Sequence, residues 1–367
     1  MNEDNSKNTE LADLRKEIDN IDEKLISLVD KRGEIAKKIG EIKKDLDLKV
    51  YHPERENKII ENLSKKSRVF EKSSIESIWK ELMASCRSIQ GTIDKIGFLG
   101  PEGTFSHQAA SKFFSRSSSE FYPFSSIEEL FNNLEKNLIN YIIVPIENSI
   151  EGTVNSVLDY LIERNVFIIG EIDLKISQNI IGIEDSKLEN LTKIYSHPQA
   201  IQQARIWIKE NLPNIEIEHT NSTAEAVKFI KNQDEKSLAA IGSETSAKFY
   251  GLDILKESVE DNPQNFTRFM ILSKNRLKIQ LEAVKSTIIF VTKHSPGALY
   301  QVIKLFAEAN INLTKIESRP RRLGKWEYIF IMDFEGNIEE PQVEETLNDL
   351  ESKVIWFKYL GTYPKSV

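Results

Sequence analysis

The sequence has one cysteine, Cys86, in 367 residues, which excludes an internal disulfide framework and suits a reducing compartment. It has five histidines, scattered without a metal-ligand spacing, so no resident metal is expected. No apolar run approaches the roughly 18–20 residues that cross a bilayer. The start, MNEDNSKNTE, is polar and lacks the apolar core of a secretory signal. An excess of positive charge is missing too. The formal net charge of −8 argues against nucleic acid as the main partner and leaves room for local basic pockets. These absences point to a cytoplasmic, metal-free protein.

What is present falls into three segments with three periodicities. Residues 8–92 read as all-helical. At 100° per residue, Leu14, Ile18, Ile21, Leu25, Leu28, Ile35, Ala36 and Ile39 share one stripe of a helix reaching Lys43 or Lys44, roughly 50 Å long. Shorter helices are expected near 54–68 and 73–90. Two such helices cannot cover the long one, so a second copy of the chain is the expected cover, in a homodimer or higher homo-oligomer. Residues 94–275 alternate short apolar runs with helical ones, which reads as α/β with a largely parallel sheet in two lobes. Residues 286–365 read as β-α-β-β-α-β, an α+β pattern in which Ser295 and Pro296 start the first helix. The charged stretch 275–285 reads as a linker.

Within the helical segment, Arg32 and Lys43 occupy the apolar stripe, 11 residues and a net ~20° apart. Snorkelling would explain one such cation. Two on a buried face need partners, and a bound dianion would supply them. Arg15 faces elsewhere on the same helix, towards a neighbouring subunit. Cys86 and Gln90, at i and i+4, share a face of the third helix.

The run LADLRKEIDNIDEKLISLVDKRGEIAKKIGEIK followed by YHPERE resembles the all-helical chorismate mutases. The resemblance implies a pocket of Arg15, Arg32, Lys43, Arg55, Glu56, Cys86 and Gln90 that rearranges chorismate to prephenate without covalent catalysis. Lys43 and Gln90 would then serve the breaking ether oxygen. Enzymatic acceleration starts at ~8 kcal/mol and one well-placed donor contributes about 3–4 kcal/mol, so several are needed. His52 and Cys86 depart from the family's common choices of aspartate and serine, which bears on affinity more than on turnover.

In the middle segment, Gly100-Pro101-Glu102-Gly103-Thr104-Phe105-Ser106-His107 follows an apolar run. It lacks the Gly-Lys-Ser/Thr of a P-loop and the Gly-x-Gly-x-x-Gly of a dinucleotide site, so no cofactor is indicated. A second Glu-Gly-Thr at 151–153 again follows a strand, and the pair reads as two helix N-termini offering anion sites. Ser196-His197-Pro198-Gln199 with Gln203, Asn221-Ser222-Thr223, and above all Asn265-Phe266-Thr267-Arg268-Phe269 complete a resemblance to prephenate dehydratases. That resemblance implies Thr267 as the proton relay for hydroxide expulsion. Thr104, Ser106, Glu147, Asn148, Thr153, Ser196, Gln203 and Arg268 would bind prephenate, Arg268 as a carboxylate anchor or a loop brace. His107 and His197 are the competing acids, read here as structural.

The last segment, with Gly297-Ala298-Leu299 at a helix start and Glu317-Ser318-Arg319-Pro320 at a strand end, resembles an ACT regulatory domain. The resemblance implies phenylalanine as an allosteric inhibitor bound by those six residues, Gly297 to Leu299 and Glu317 to Arg319. The residues leave two rivals open: a mutase segment kept only for dimerisation, and a non-enzymatic amino-acid sensor.

Overall fold

The computed structural model describes residues 2–45, 53–91, 93–276, 284–320 and 328–365. The chain forms two units, one of the residues up to Ile93 with Ser115–Ser119, the other of Asp94–Phe114 and Glu120 onwards.

The first unit contains three helices, α1 (Asn2–Asp45), α2 (Pro53–Ser64) and α3 (Lys72–Ile89). Gly40 lets α1 and α3 approach closely: a Cβ there would lie 2.8 Å from the Cβ of Gln90. Ala36, Ile60, Ile75, Met83, Ala84 and Cys86 are buried. The rest of the α1 stripe is not. Leu14, Ile18, Ile21, Leu25, Leu28, Ile35 and Ile39 are all exposed in the single chain.

The second unit carries three sheets. The first has the order β2 (Ser119–Phe124), β1 (Asp94–Leu99), β3 (Tyr141–Asn148), β11 (Phe266–Ser273) and β5 (Phe167–Lys175), with the two-residue β4 (Gly152–Thr153) hairpinned onto β3. The second runs β10 (Asp253–Lys256), β6 (Asn179–Gly182), β9 (Leu238–Gly242), β7 (Lys193–Ser196), β8 (Glu216–His219). Helices α4 (Phe105–Phe113), α5 (Ile127–Glu135) and α6 (Asn155–Glu163) accompany the first sheet in sequence. Helices α7 (Pro198–Gln203), α8 (Arg205–Asn211), α9 (Thr223–Gln233) and α10 (Glu244–Tyr250) accompany the second.

Both sheets are mixed, which corrects the expected largely parallel one. β1–β3, β7–β8 and β7–β9 are parallel, whereas β11 runs antiparallel to both β3 and β5. The cause is the route of the chain. It leaves the first sheet after β5, builds the second, and returns through β11, which enters against its neighbours.

The third sheet, in the order β13 (Leu313–Pro320), β14 (Tyr328–Glu335), β12 (Val284–Val291), β15 (Trp356–Pro364), carries α11 (Ala298–Glu308) and α12 (Pro341–Lys353), in the expected βαββαβ order. Alternation along its strands divides two cores. Ile288, Phe290, Phe330, Met332 and Phe334 join one cluster with Val302, Phe306 and Leu347. Ile289, Val291, Ile329, Ile331, Leu360 and Tyr363 join the core of the first sheet, with Met270, Leu272 and Leu161. The C-terminal segment is therefore continuous with the first lobe. Gly361 marks the closest approach, since a Cβ there would sit 2.2 Å from the carbonyl oxygen of Ile168.

Candidate active sites

In the second unit a cavity of about 1110 Å³ is walled by both lobes. Leu99, Thr104, Ser106, Asn148, Glu151, Thr267 and Phe269 come from the first lobe's strands and loops, and His197, Gln199, Gln203, Asn221, Ser222 and Thr223 from the second. Two helix starts open on it. Thr104 caps α4 by accepting from His107 N, and Ser222 caps α9 by accepting from Glu225 N. The remaining first-turn N–H groups of such helices are available to an anion.

Two of the cavity's polar side chains stand on paired strands. Thr267 on β11 lies opposite Asn148 on β3. Asn148 Nδ2 donates to Thr267 Oγ1 at 2.9 Å and to Asn265 Oδ1 at 2.9 Å, while Asn148 Oδ1 accepts from the N–H groups of Ile150 and Glu151. Both ends of the amide are thus fixed. Because Thr267 Oγ1 accepts from Asn148, its own O–H is left to donate into the cavity. A second chain of amides crosses the lobes: Gln178 Nε2 donates to Gln203 Oε1 at 3.1 Å, and Gln203 Nε2 reaches Glu151 Oε1 at 3.5 Å. Gln178 lines the cavity, and its Oε1 is buried with no hydrogen-bond partner among the described residues.

Several sequence-predicted residues lie elsewhere. Arg268 follows Thr267 on β11 and therefore points to the opposite face. There it bonds Glu171 at 2.6 Å, Asp333 at 2.7 Å and the Tyr363 hydroxyl at 3.1 Å. It is a brace and not a carboxylate anchor. Burial opposes its charge, but Asp333, Tyr363 and Glu171 together hold its pKa above the usual arginine range. Glu147 likewise faces away and pairs with Lys315 at 2.6 Å. Ser196 is fully buried and donates to Ile241 O at 2.7 Å. Thr153 belongs to the β3–β4 hairpin and donates to Glu317 Oε2 at 2.7 Å. The second Glu-Gly-Thr is therefore a hairpin and not a helix start, and α6 begins after Val154 with no side-chain cap. His107 stacks on Phe98 with its Nδ1 accepting from Gly103 N, and His197 caps α7, so both do structural work.

In the first unit, Arg32, Lys43, Arg55, Glu56, Cys86 and Gln90 come together around a cavity of about 700 Å³. Lys58 and Arg87 also line it, and the sequence reading missed both. Arg87 lies three residues before Gln90 on α3, a helical spacing that could have found it. Arg32 Nη1 donates to Cys86 Sγ at 2.7 Å. Glu56 is engaged by Arg87, so it orders the cationic wall as well as facing the cavity. Burial, and then the charge of Arg55, pull the Lys43 pKa below the ordinary lysine value, partly offset by Glu56. Gln90 Nε2 donates to Cys86 O at 3.1 Å, and its Oε1 is buried without a hydrogen-bond partner among the described residues. Arg15 does not line this cavity and stands on the exposed part of α1. His52 lies outside the described residues.

A third cavity, of about 460 Å³, is lined by Gly297, Ala298 and Leu299 with Lys293, Ser295, Tyr328 and Phe330. Glu317 and Arg319 do not reach it. Glu317 bonds Thr153, Arg319 pairs with Asp159 at 2.8 Å, and Ser318 between them is exposed. Among the described residues no three His, Cys, Asp or Glu side chains converge as metal ligands, and no helix is long and apolar enough to cross a membrane.

Residues 14–91 match the family model for chorismate mutase type II, 96–277 that for prephenate dehydratase, and 286–352 that for the ACT domain. The bifunctional chorismate mutase/prephenate dehydratase of Aquifex aeolicus is 41% identical, covering 98% of this chain and 99% of its own. This chain belongs to that family. Among solved structures, the prephenate dehydratase of Arthrobacter aurescens in complex with L-Phe is 29% identical with a TM-score of 0.68, over 74% of this chain and 90% of that one. A quorum-quenching acylase, GqqA, is 28% identical with a TM-score of 0.67 over 98% of its own chain, so this architecture also hosts other chemistry. What joins the present chain to the bifunctional enzymes is the helical unit with its cationic cavity, in line with the dehydratase and ACT segments.

Proposed function

We propose that the chain performs two successive reactions, chorismate to prephenate in the helical cavity and prephenate to phenylpyruvate in the two-lobed one, under inhibition by phenylalanine. The observation that carries the reading is the Asn148–Thr267 pair at 2.9 Å on the wall of a cavity that two helix starts open upon. In the first reaction the ether C–O bond breaks as a C–C bond forms. Arg32, Lys43, Arg55, Lys58 and Arg87 balance two carboxylates, while Lys43 and Gln90 meet the charge that develops on the ether oxygen. In the second, the C–C bond to the departing carboxylate breaks and its electron pair enters the ring. The ring C–O bond breaks in the same event, and the hydroxyl leaves as water with a proton that Thr267 relays and regains from solvent. Asn148 keeps the Thr267 oxygen occupied as an acceptor, so the proton is directed at the leaving group. Ser106 and the starts of α4 and α9, with Gln178 and Gln203, supply neutral donors for the substrate carboxylates.

The family ligand phenylalanine suits the cavity at Gly297, where a left-handed backbone begins α11. Support for phenylalanine comes from the L-Phe complex of the Arthrobacter relative. A second copy of the chain covers the exposed stripe of α1, and Arg15 on that helix would then complete the partner's mutase cavity. The test supplies the purified full chain with prephenate alone and follows phenylpyruvate, with and without phenylalanine. Product that phenylalanine suppresses is the expected result. No product from folded protein would overturn the reading.

A further inference from the structure

Gln178 sits where the chain crosses from the first lobe to the second, between β5 and β6, and is only 2% exposed. Leu174, opposite Thr267 in register, is followed at intervals of two by Ile176 and Gln178, and both of these line the cavity with Thr267. The returning crossover fixes the Gln178 backbone. Val259 N donates to Gln178 O at 2.8 Å, and Gln178 N donates to Glu260 Oε2 at 2.9 Å. Asp261, next along, donates from its N–H to Gln203 O at 2.7 Å, and its carboxylate accepts from the N–H groups of Ile206 and Trp207. Gln178 and Gln203 are therefore held in one frame.

The polarity of the Gln178 amide follows from the far end of its chain of hydrogen bonds. A carboxylate only accepts, so Glu151 takes Gln203 Nε2 at 3.5 Å. Gln203 then presents Oε1, and Gln178 meets it with Nε2 at 3.1 Å. One Nε2 hydrogen of Gln178 is thereby committed and the other is left for a carboxylate. Its Oε1 is buried with no hydrogen-bond partner among the described residues. An unpaired buried acceptor destabilises the free protein, and a ligand that brings a donor relieves it.

Prephenate brings one donor. Its two carboxylates and its ketone only accept hydrogen bonds, and the ring hydroxyl alone can give one. We propose that Gln178 recognises the leaving group: its Oε1 accepts from the ring hydroxyl of prephenate, whose oxygen accepts in turn from Thr267. The hydroxyl is then held through both of its hydrogen-bonding roles, with a lone pair turned to the proton it takes. As the C–O bond breaks and that proton arrives, the departing O–H becomes a stronger donor. The bond to Gln178 therefore tightens towards the transition state, which raises kcat. Keto phenylpyruvate has no donor, so the contact leaves with the water and does not retain the product. This deepens, and rests on, the reading of prephenate as the ligand of the two-lobed cavity.

The experiment uses the full chain carrying Gln178→Met, which keeps the side-chain length and removes the acceptor. Two quantities are compared with the parent's: kcat/KM for prephenate, and the inhibition constant of the analogue in which hydrogen replaces the ring hydroxyl. That analogue carries the same carboxylates but has no leaving group, so it reports every contact of Gln178 except the one with the hydroxyl. Gln178→Met is expected to lower kcat/KM on the order of tenfold to a hundredfold. The inhibition constant is expected to rise by no more than about threefold, from the lost Nε2 contact. A fall in kcat/KM that exceeds the rise in the inhibition constant by less than about fivefold overturns the proposal, because Gln178 would then serve only the carboxylates or Gln203. Circular dichroism reports folding. If Gln178→Met is not folded, Gln178→Asn decides by the same thresholds, since it keeps the amide and withdraws it by one methylene. The underlying reading fails separately: a parent chain that does not consume prephenate sinks the function, whereas an active parent beside an unaffected Gln178→Met sinks only the hydroxyl contact.

Discussion

On the proposed function, the two cavities receive related dicarboxylates by opposite means. The helical cavity is lined by five cations, Arg32, Lys43, Arg55, Lys58 and Arg87, against one carboxylate, Glu56. The two-lobed cavity has one lysine, Lys228, against Glu102, Glu151 and Glu225, and its arginine, Arg268, is turned to the back of the sheet. One site uses side-chain charge and the other uses hydroxyls, amides and helix starts. The difference follows the chemistry. The mutase must stabilise negative charge growing on an ether oxygen, where a cation is the strongest donor. The dehydratase must deliver a proton and release CO₂, and an arginine gripping the departing carboxylate would stabilise the ground state it has to leave.

The strongest way to break the comparison is to remove each site's own device in the same chain. Thr267→Ala is expected to lower dehydratase kcat by about a hundredfold to ten-thousandfold and leave chorismate consumption intact. Lys43→Met is expected to lower mutase kcat by about a hundredfold to a thousandfold and leave prephenate consumption intact. Both are read by assaying each variant with chorismate and with prephenate separately. A variant that depresses both activities together would show that the cavities are not independent.

A milder test uses pH, and its sign follows from Lys43. Its pKa is lowered by burial first and then by Arg55, so the ammonium is lost at a lower pH than an ordinary lysine's. Mutase kcat/KM should therefore fall as pH rises through that lowered value, below the roughly 10.4 of an unperturbed lysine. Bound dianion favours the charged form, so the fall in kcat should come at higher pH than the fall in kcat/KM. Profiles of both constants between pH 7 and about 10.5 check this. A mutase kcat/KM that stays flat across that range would remove Lys43 from the role of charged donor.

Much of this arrangement was legible in the sequence. The 3.6-residue period placed Arg32 and Lys43 on one stripe, and the structure gathers them with Arg55, Cys86 and Gln90. The Thr104 cap follows from a short polar residue between a strand and an apolar helix. The period-2 rule also separates neighbours on a strand. Thr267 with Arg268, and Glu147 with Asn148, are adjacent strand residues, and neighbours on a strand cannot both enter one cavity. Only one of each pair does. What sequence could not supply was the bulge before Glu147, the return of β11 between β3 and β5, and the use of Glu317 and Arg319 as a seam. Those depend on contacts between segments more than ninety residues apart, which local periodicity does not encode.

The finest distinction between the cavities concerns Cys86. Arg32 Nη1 bonds its sulfur at 2.7 Å and reaches the Leu82 carbonyl only at 3.5 Å, so Cys86 is the principal anchor of that guanidinium. The sulfur acts as an acceptor, and a serine hydroxyl accepts better from a charged donor while standing on a shorter bond. Cys86→Ser should therefore leave mutase kcat unchanged and shift KM for chorismate by less than about threefold, because the lost reach and the better acceptor offset each other. Cys86→Ala removes the acceptor and frees the guanidinium, with KM raised by about tenfold. Neither change should touch prephenate turnover, since the dehydratase cavity depends on no arginine of this unit. Equal KM values for the serine and alanine variants would mean that Arg32 is held by the substrate alone, and that the cationic cavity assembles only when its dianion arrives.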